Sequence, residues 1–541
     1  MRLVNFKRIA CVALAIVFCI GASVFPTTNN KVSALGGYTS GDVSVGLYVA
    51  APLLDSRLFS SINKSADGFD IGYLSGGFNK LFSIDNSSII LLPQVNANFA
   101  NGNCTSSNSG NIGAYSAVVG RYGSYASAES VAKSKNGFVA VVNGGYEVRV
   151  NPSTSAENAK KASGGRTVAN PVSGGLTVID GESGKILFTF EDLSHKLTIR
   201  SKNGGSVNLP LRHFSGSIAY FDFLGVFEYS VSGGMLWLEN ILGLEDYTKC
   251  VMANEIGTNY SVETRKAFSV LARTVPFHHK HANIGFDVCT NPACCQVYHG
   301  IFRMSEENNQ IVDSTRGQIC TYKGKPIVVL YHNSNGGASC SSVAAWGGNE
   351  VPYLTTVFQE EYNNGDKWEH VYTKQEFYDY ITSRSKFSSL TGDDIDVKIV
   401  ETDPYGSDYI TVLSISDTNG NVVEVQTSEG IREAVGYTSA NFKLEYTKEM
   451  NVLTADGTVE TRSVSGVMTA DGYKQFDGFN VGYKTVQGVE VEPDKVTVKG
   501  SGIGHGVGFS ATGSEKLSKD GYSYKYILGY FFSNTELEYL G

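Results

Sequence analysis

The chain has 541 residues, enough for two to four domains; 18% are charged, and glycine (60), tyrosine (30) and phenylalanine (28) are abundant. That balance points away from a helical or disordered protein and toward a β-rich, turn-rich extracellular one. A formal net charge of −9 argues against a general binder of nucleic acid or of anionic membranes, and leaves an uncharged glycan open.

Taken in order, the chain opens with a targeting signal. Arg2, Lys7 and Arg8 precede an apolar run from Ile9 to Phe25, and Val32-Ser33-Ala34 offers a small-residue cleavage site. Residues 1–34 therefore read as a cleaved signal peptide or as an N-terminal membrane anchor. Either way the rest of the chain is expected to be exported, to the extracellular space or the cell wall. Nine cysteines less Cys11 and Cys19 leave seven, an odd number that does not suit a complete disulfide framework.

Residues 35–110 carry short apolar runs broken by Gly, Ser and Asn (VGLYVAAPLL, FDIGYL, SSIILLPQV), expected to be strands, and the polar stretch 101–113 reads as a linker. From 111 to 170 the expected order is strand, helix (Ser127 to Lys135), strand, hairpin, strand and a second helix from about Ser155. Val118, Gly120, Tyr122 and Ala128 lie where this order resembles a SPOR-type module. The resemblance implies binding to glycan strands of peptidoglycan; an unrelated small α/β domain is the other reading. The runs LTVID, ILFTFED, KLTIRS, FSGSIAYFDF and SVSGGMLWLENIL then predict a long β-rich section.

Between Leu244 and Arg273 two helical patterns flank a break at Gly257, Thr258 and Asn259. Val251, Met252 and Ile256, then Ala267, Phe268, Val270 and Leu271, give each helix a face to bury, and Ser261 is the expected N-cap of the second. One carboxylate, Glu255, closes the first pattern, with no acidic neighbour until Glu263. Burial where two helices meet favours the protonated form of such a group and suits it to general-acid work; a solvated or paired Glu is the plainer alternative. Farther on, His278, His279, His281, Cys289, Cys294 and Cys295 have metal-ligand chemistry at irregular spacing, and a local disulfide is the competing reading.

Four ordered stretches resemble the SpoIID/LytB family of sporulation and cell-wall proteins: LEDYTKCVMANEIG with SVETRKAFSVLART; GFDVCTNPACCQVYHG; YHNSNGGASCSSVAAWGGNEVPYL; and GIREAVGYTSANFKL with GSGIGHGVGFSATGSEKL. The resemblance runs over about 214–541, within an expected domain at 171–541. The expected fold is α+β and multidomain: a β-rich chain in which a mixed helix/strand SpoIID-type domain follows the small SPOR-like α/β module. The resemblance implies a lytic transglycosylase acting on peptidoglycan glycan strands, in wall remodelling tied by the family's name to sporulation. Its alternative is a non-catalytic, wall-binding amidase enhancer whose partner is a cell-wall amidase.

Glu255 falls on the family's catalytic acid. A single carboxylate suffices for this chemistry, because the sugar's own C6 hydroxyl serves as nucleophile, whereas hydrolysing glycosidases usually need two. Tyr331, His332, Ser334, Gly336 and Gly337, then Trp346, His505 and Ser510, fall where the resemblance places substrate-contacting walls. It also implies a structural or substrate-positioning zinc ion on His281, Cys289 and Cys295. The chain departs from the family pattern at Ile256, Phe509, Ala511 and Thr512, and Val275-Pro276 should end the second helix.

Overall fold

The computed structural model describes residues 41–47, 58–212, 218–278, 281–292, 294–359, 366–453, 455–479, 482–485, 487–488 and 490–540. Residues 1–34, expected to form a signal peptide or membrane anchor, lie outside these residues. Within them no helix is long and apolar enough to cross a membrane. The chain is α+β and divides into two units. One holds the described residues up to Tyr260 together with Phe268–Ile319; the other holds Ser261–Ala267 and Cys320–Glu538.

The first unit contains two large sheets. In one, seven strands run in the order Val288–Cys289, Asp42–Gly46, Met235–Gly243, Val226–Ser232, Leu197–Ser201, Phe69–Leu74 and Phe78–Ile84. Asp42–Gly46 pairs antiparallel with Met235–Gly243 and parallel with Val288–Cys289, so residues far apart in sequence close this sheet. The expected strands FDIGYL and SSIILLPQV are present as Phe69–Leu74 and Ser88–Pro93.

The second sheet has ten strands, and the segment likened to a SPOR module forms one end of it. Helix α1 (Tyr125–Ser134) is capped by Ser124, helix α2 (Ala156–Ala162) by Ser155. The small buried faces of Ala128, Ala132 and Ala159 let both helices lie close on the strands. The sheet continues without interruption through parallel pairing of Phe138–Val142 with Ile186–Phe190. Residues 101–113 are not a solvated linker. Ala97–Ala100 and Asn103–Ser106 form a hairpin turning at Asn101 and Gly102, both with positive φ. Cys104 and Ile112 are buried in a core cluster with Ile90, Leu92, Phe138 and Ile179. Polarity misled here because two buried side chains, Cys104 and Ile112, anchor an otherwise polar stretch.

Helices α3 (Leu244–Glu255) and α4 (Val262–Thr274) stand where periodicity placed them, and a 3-10 turn over Val275–His278 stops α4 at the predicted proline. Ala267, Phe268, Val270, Leu271 and Ala272 are buried, each large one contributing about 1.5–3 kcal/mol of burial free energy. Ser261, the expected N-cap of α4, donates from its hydroxyl and its amide to Glu515, at 2.7 Å each. Helix α5 (Glu306–Ser314) packs beside α3, where Lys249 pairs with Asp313 at 3.0 Å.

The second unit carries the short helices α6 (Ser342–Trp346), α7 (Lys374–Thr382), α8 (Ser428–Val435), α9 (Ala511–Lys519) and α10 (Tyr524–Phe531). Its principal sheets are Lys367–Thr373, Lys495–Ser501, Phe442–Leu453 and Val459–Val464, and separately Ile395–Thr402, Ile410–Asp417 and Val422–Gln426. Glu263 accepts the Tyr524 amide at 2.8 Å, ordering the start of α10.

Candidate functional site

In the first unit, α3 delivers Glu255 as its last residue. Glu245 and Asp246 in its first turn complement the positive end of the helix dipole. Tyr247, Cys250, Val251, Met252 and Ala253 are fully buried, which fixes the helix rotation and leaves Glu255 half-buried at its rim. Glu255 Oε1 accepts the Val297 amide at 2.6 Å, so the carboxyl is held by a loop 42 residues away. Arg273 of α4, wholly buried, clamps α3 from the other end. Its Nε and Nη2 reach Glu245 at 2.9 and 2.8 Å, and its Nη1 and Nη2 donate to the carbonyls of Gln318 and Val312 at 3.1 and 3.2 Å.

The loop that supplies the Val297 amide also carries the cysteines. His281 Nε2 lies 3.3 Å from Cys294 Sγ and 3.3 Å from Cys295 Sγ; Cys289 and Cys295 are 3.7 Å apart, and Cys294 and Cys295 3.9 Å. All four ligand atoms fall within 4.8 Å of one another. A tetrahedral zinc ion with bonds of about 2.3 Å to sulfur and 2.0 Å to nitrogen requires S···S edges of about 3.8 Å and N···S edges of about 3.5 Å. The donor set fits. In this structure the thiols are free, with Cys289 and Cys295 3.7 Å apart against the ~2.05 Å of a disulfide bond. Hydrogen bonding to Cys294 and Cys295, with burial, drives the Cys289 thiol far above its ordinary range. Cys294, which the expected three-residue set leaves out, is the fourth member. Adjacent Gln296 accepts from the Tyr247 hydroxyl at 2.9 Å and ties the loop to α3. The CQVY stretch was visible in sequence, but the role of Val297 was not, because a backbone amide leaves no side-chain signature.

The remaining predicted residues gather in the second unit. Tyr331–His332 pairs in parallel with Phe509–Ser510, and Ser334 exchanges backbone hydrogen bonds with Ile503. This brings the 331–337 and 503–510 loops side by side. His332 Nδ1 lies 3.1 Å from the Val507 carbonyl, and His505 Nδ1 accepts the Val507 amide at 3.0 Å. The two imidazoles meet edge to face with centroids 5.5 Å apart, and Trp346 stands 5.2 Å from His505. Burial pushes both histidines down to about 3, His332 further disfavoured by His505 and His505 by Arg432. Both are neutral at physiological pH.

Gly336 and Gly337 have φ of +67° and +111°, and a Cβ on Gly336 would stand 2.7 Å from the Gly502 nitrogen, so the tight turn expected there is real. Ser510 is spent on capping α9, where it accepts the Gly513 amide at 3.1 Å. His332, Ser334, His505 and Ser510 are all buried, which makes them the frame of this corner. Tyr331 and Trp346 are half-buried and hold the faces that can meet a ligand. Asn335 went unnoticed in sequence; its amide donates to Gln359 at 2.7 Å and its carbonyl oxygen accepts the Gly337 amide, locking the turn.

Residues 232–322 match the family described as Stage II sporulation protein (SpoIID). The amidase enhancer of Bacillus subtilis strain 168 is 26% identical over 300 residues, covering 53% of this chain and 40% of that protein. An uncharacterized protein of Brachyspira hyodysenteriae is 33% identical over 190 residues, 32% of this chain and 51% of its own. Stage II sporulation protein D of Bacillus subtilis is 23% identical over 318 residues, 56% of this chain and 75% of that protein. The first two relatives are thus matched over about half their length or less.

Proposed function

We propose that this chain, which carries a SpoIID-family domain over residues 232–322, is an exported lytic transglycosylase that cleaves the MurNAc–GlcNAc bond of peptidoglycan glycan strands. The observation that carries the reading is the half-buried Glu255 at the end of α3, fixed by the Val297 amide. In the proposed reaction Glu255, protonated, gives its proton to the departing glycosidic oxygen. The C6 hydroxyl of the same muramyl residue closes on C1, and its proton returns to the Glu255 carboxylate. The C1–O bond to the leaving sugar breaks, a 1,6-anhydro bond forms, and no water is consumed.

His281, Cys289, Cys294 and Cys295 would hold a zinc ion with all four positions filled by protein, which suits a structural ion. What these residues contribute to the reaction is position: the loop they close presents the Val297 amide to Glu255. Tyr331 and Trp346 are proposed to contact glycan from their half-buried faces.

The test is digestion of peptide-free glycan strands by the full chain and by Glu255→Gln, read by mass spectrometry. Anhydro ends, lighter than hydrolytic ends by one water, are expected from the wild type alone, with the variant slower by about 10²–10⁴-fold. Hydrolytic ends, or equal cleavage by the variant, would overturn the proposal. A second reading, stimulation of a cell-wall amidase without catalysis, is favoured by the relative of that name and by the departures Phe509, Ala511 and Thr512, in the short strand and the first turn of α9. Stimulation of an amidase that survives Glu255→Gln, in a protein that makes no anhydro ends, would establish it instead.

A further inference from the structure

We propose that the first unit carries a second, non-catalytic saccharide site: a groove that takes a neutral, hydroxyl-rich oligosaccharide with one sugar face stacked on Tyr220. The groove has a volume of about 860 Å³ and lies between the strand ends near Lys64, the loop near Ser206 and the hairpin tip at Asn101–Asn103. That volume accommodates two or three sugar rings and falls in the ~300–1,000 Å³ span of ligand sites.

Its chemistry is specific. Tyr220 is 54% exposed on a strand whose neighbours Phe221 and Phe223 are buried, so an aromatic face is left toward the groove without a protein partner covering most of it. Beside it Asn208 Nδ2 donates to Asp222 Oδ1 at 3.1 Å, which orients an amide and a carboxylate whose remaining donors and acceptors suit vicinal hydroxyls. Lys64 Nζ lies 5.7 Å from the Tyr220 ring centroid and is the single cation in the lining, against Asp67, Glu182 and Asp222. The acidic balance repels phosphate and carboxylate ligands. An aromatic platform flanked by planar amide and carboxylate groups selects a neutral sugar, because C–H faces stack on the ring while hydroxyls both donate and accept.

The groove is also tied to the acid through one strand. In Ile218–Phe223, Tyr220 and Asp222 point to the groove and Phe221 and Phe223 to the other face. There Phe221 stacks on His299 at 4.7 Å and Phe223 meets Tyr298 at 5.7 Å, in the segment whose Val297 amide binds Glu255. The strand thus has a sugar-binding side and an acid-supporting side. The inference rests on the wall-glycan reading only for its choice of N-acetylated sugar.

Titration calorimetry of the full chain with tetra-N-acetylchitotetraose, in buffer without added calcium, tests it. This ligand lacks the muramyl residue, so a failure of the cleavage assay above does not bear on the result. Expected are saturable 1:1 binding, a loss of at least tenfold in Tyr220→Ala, near-native binding in Tyr220→Phe, and no change in Tyr473→Ala, an equally exposed tyrosine of the second unit (59%). No binding by the wild type, equal binding by Tyr220→Ala, or binding that appears only when calcium is added would overturn it.

Discussion

Replacing Arg273 by Leu should unseat Glu255 without touching it. The guanidinium is fully buried and makes two bonds to Glu245 and two to the carbonyls of Val312 and Gln318. In the variant both carbonyls lose these donors, and Glu245, 16% exposed, keeps the Gly317 amide at 3.0 Å. Breaking a buried pair from one side costs about 3–5 kcal/mol. Because Glu245 retains some solvent and that amide, the lower end applies, about 3 kcal/mol. At roughly 2–4 °C per kcal/mol for a domain of ~150–250 residues, the melting temperature should fall by about 6–12 °C. Calorimetry on Arg273→Leu, Glu245→Leu and the double variant decides the matter. The double should be more stable than the sum of the singles predicts, since no charge is then stranded. Arg273→Lys should fall between, because an ammonium lacks the planar fork that reaches three partners. A single variant that melts within 2 °C of wild type, or strict additivity in the cycle, would refute the clamp.

Three further outcomes follow from the two corners. The purified chain should contain one zinc ion by elemental mass spectrometry, Cys294→Ser should reduce the stoichiometry, and a strong chelator should lower the melting temperature; ligand linkage gives about 4 kcal/mol when free zinc exceeds Kd a thousandfold. His332 and His505 have folded values near 3 against 6.5 in the unfolded chain, so below pH 6.5 the unfolded state takes up protons that the folded state refuses. Their stabilisation is whole above pH 6.5 and is lost between pH 6.5 and 3, at about 1.4 kcal/mol per pH unit for each histidine; denaturant midpoints of His505→Asn should show a shallower slope there, and an unchanged slope would refute the burial argument. Gly506→Ala places a Cβ 2.3 Å from the Tyr409 hydroxyl at φ +78°, and about 2–5 kcal/mol should be lost in urea unfolding, with Tyr409→Phe restoring part of it.

Much of this was legible in the residues. The helix pair around Glu255 followed from apolar spacing, its end from Pro276, and the strands at Phe69–Leu74 and Ser88–Pro93 from β-branched and aromatic runs. The cysteine cluster was legible as chemistry but not as geometry: whether Cys294 faces inward depends on the turn at Asn291, whose carbonyl accepts both the Cys294 and Cys295 amides. Ser510, placed in a substrate-contacting wall by the sequence, instead caps α9, where its hydroxyl accepts the Gly513 amide. Composition also failed at 101–113, since a hairpin with two anchoring apolar residues reads as polar throughout. Long-range sheet pairing, which makes one ten-stranded surface from several runs, has no local signal at all.

The pairing of Asp42–Gly46 with Met235–Gly243 and Val288–Cys289 has a consequence in time. A nascent chain meets Glu255 before it meets the strand, the cysteines and the amide that seat it. The first strand must wait through about two hundred residues of synthesis for its partner, and such non-local closure is slow. A truncated or half-emerged chain therefore contains the acid in a helix with nothing to aim it.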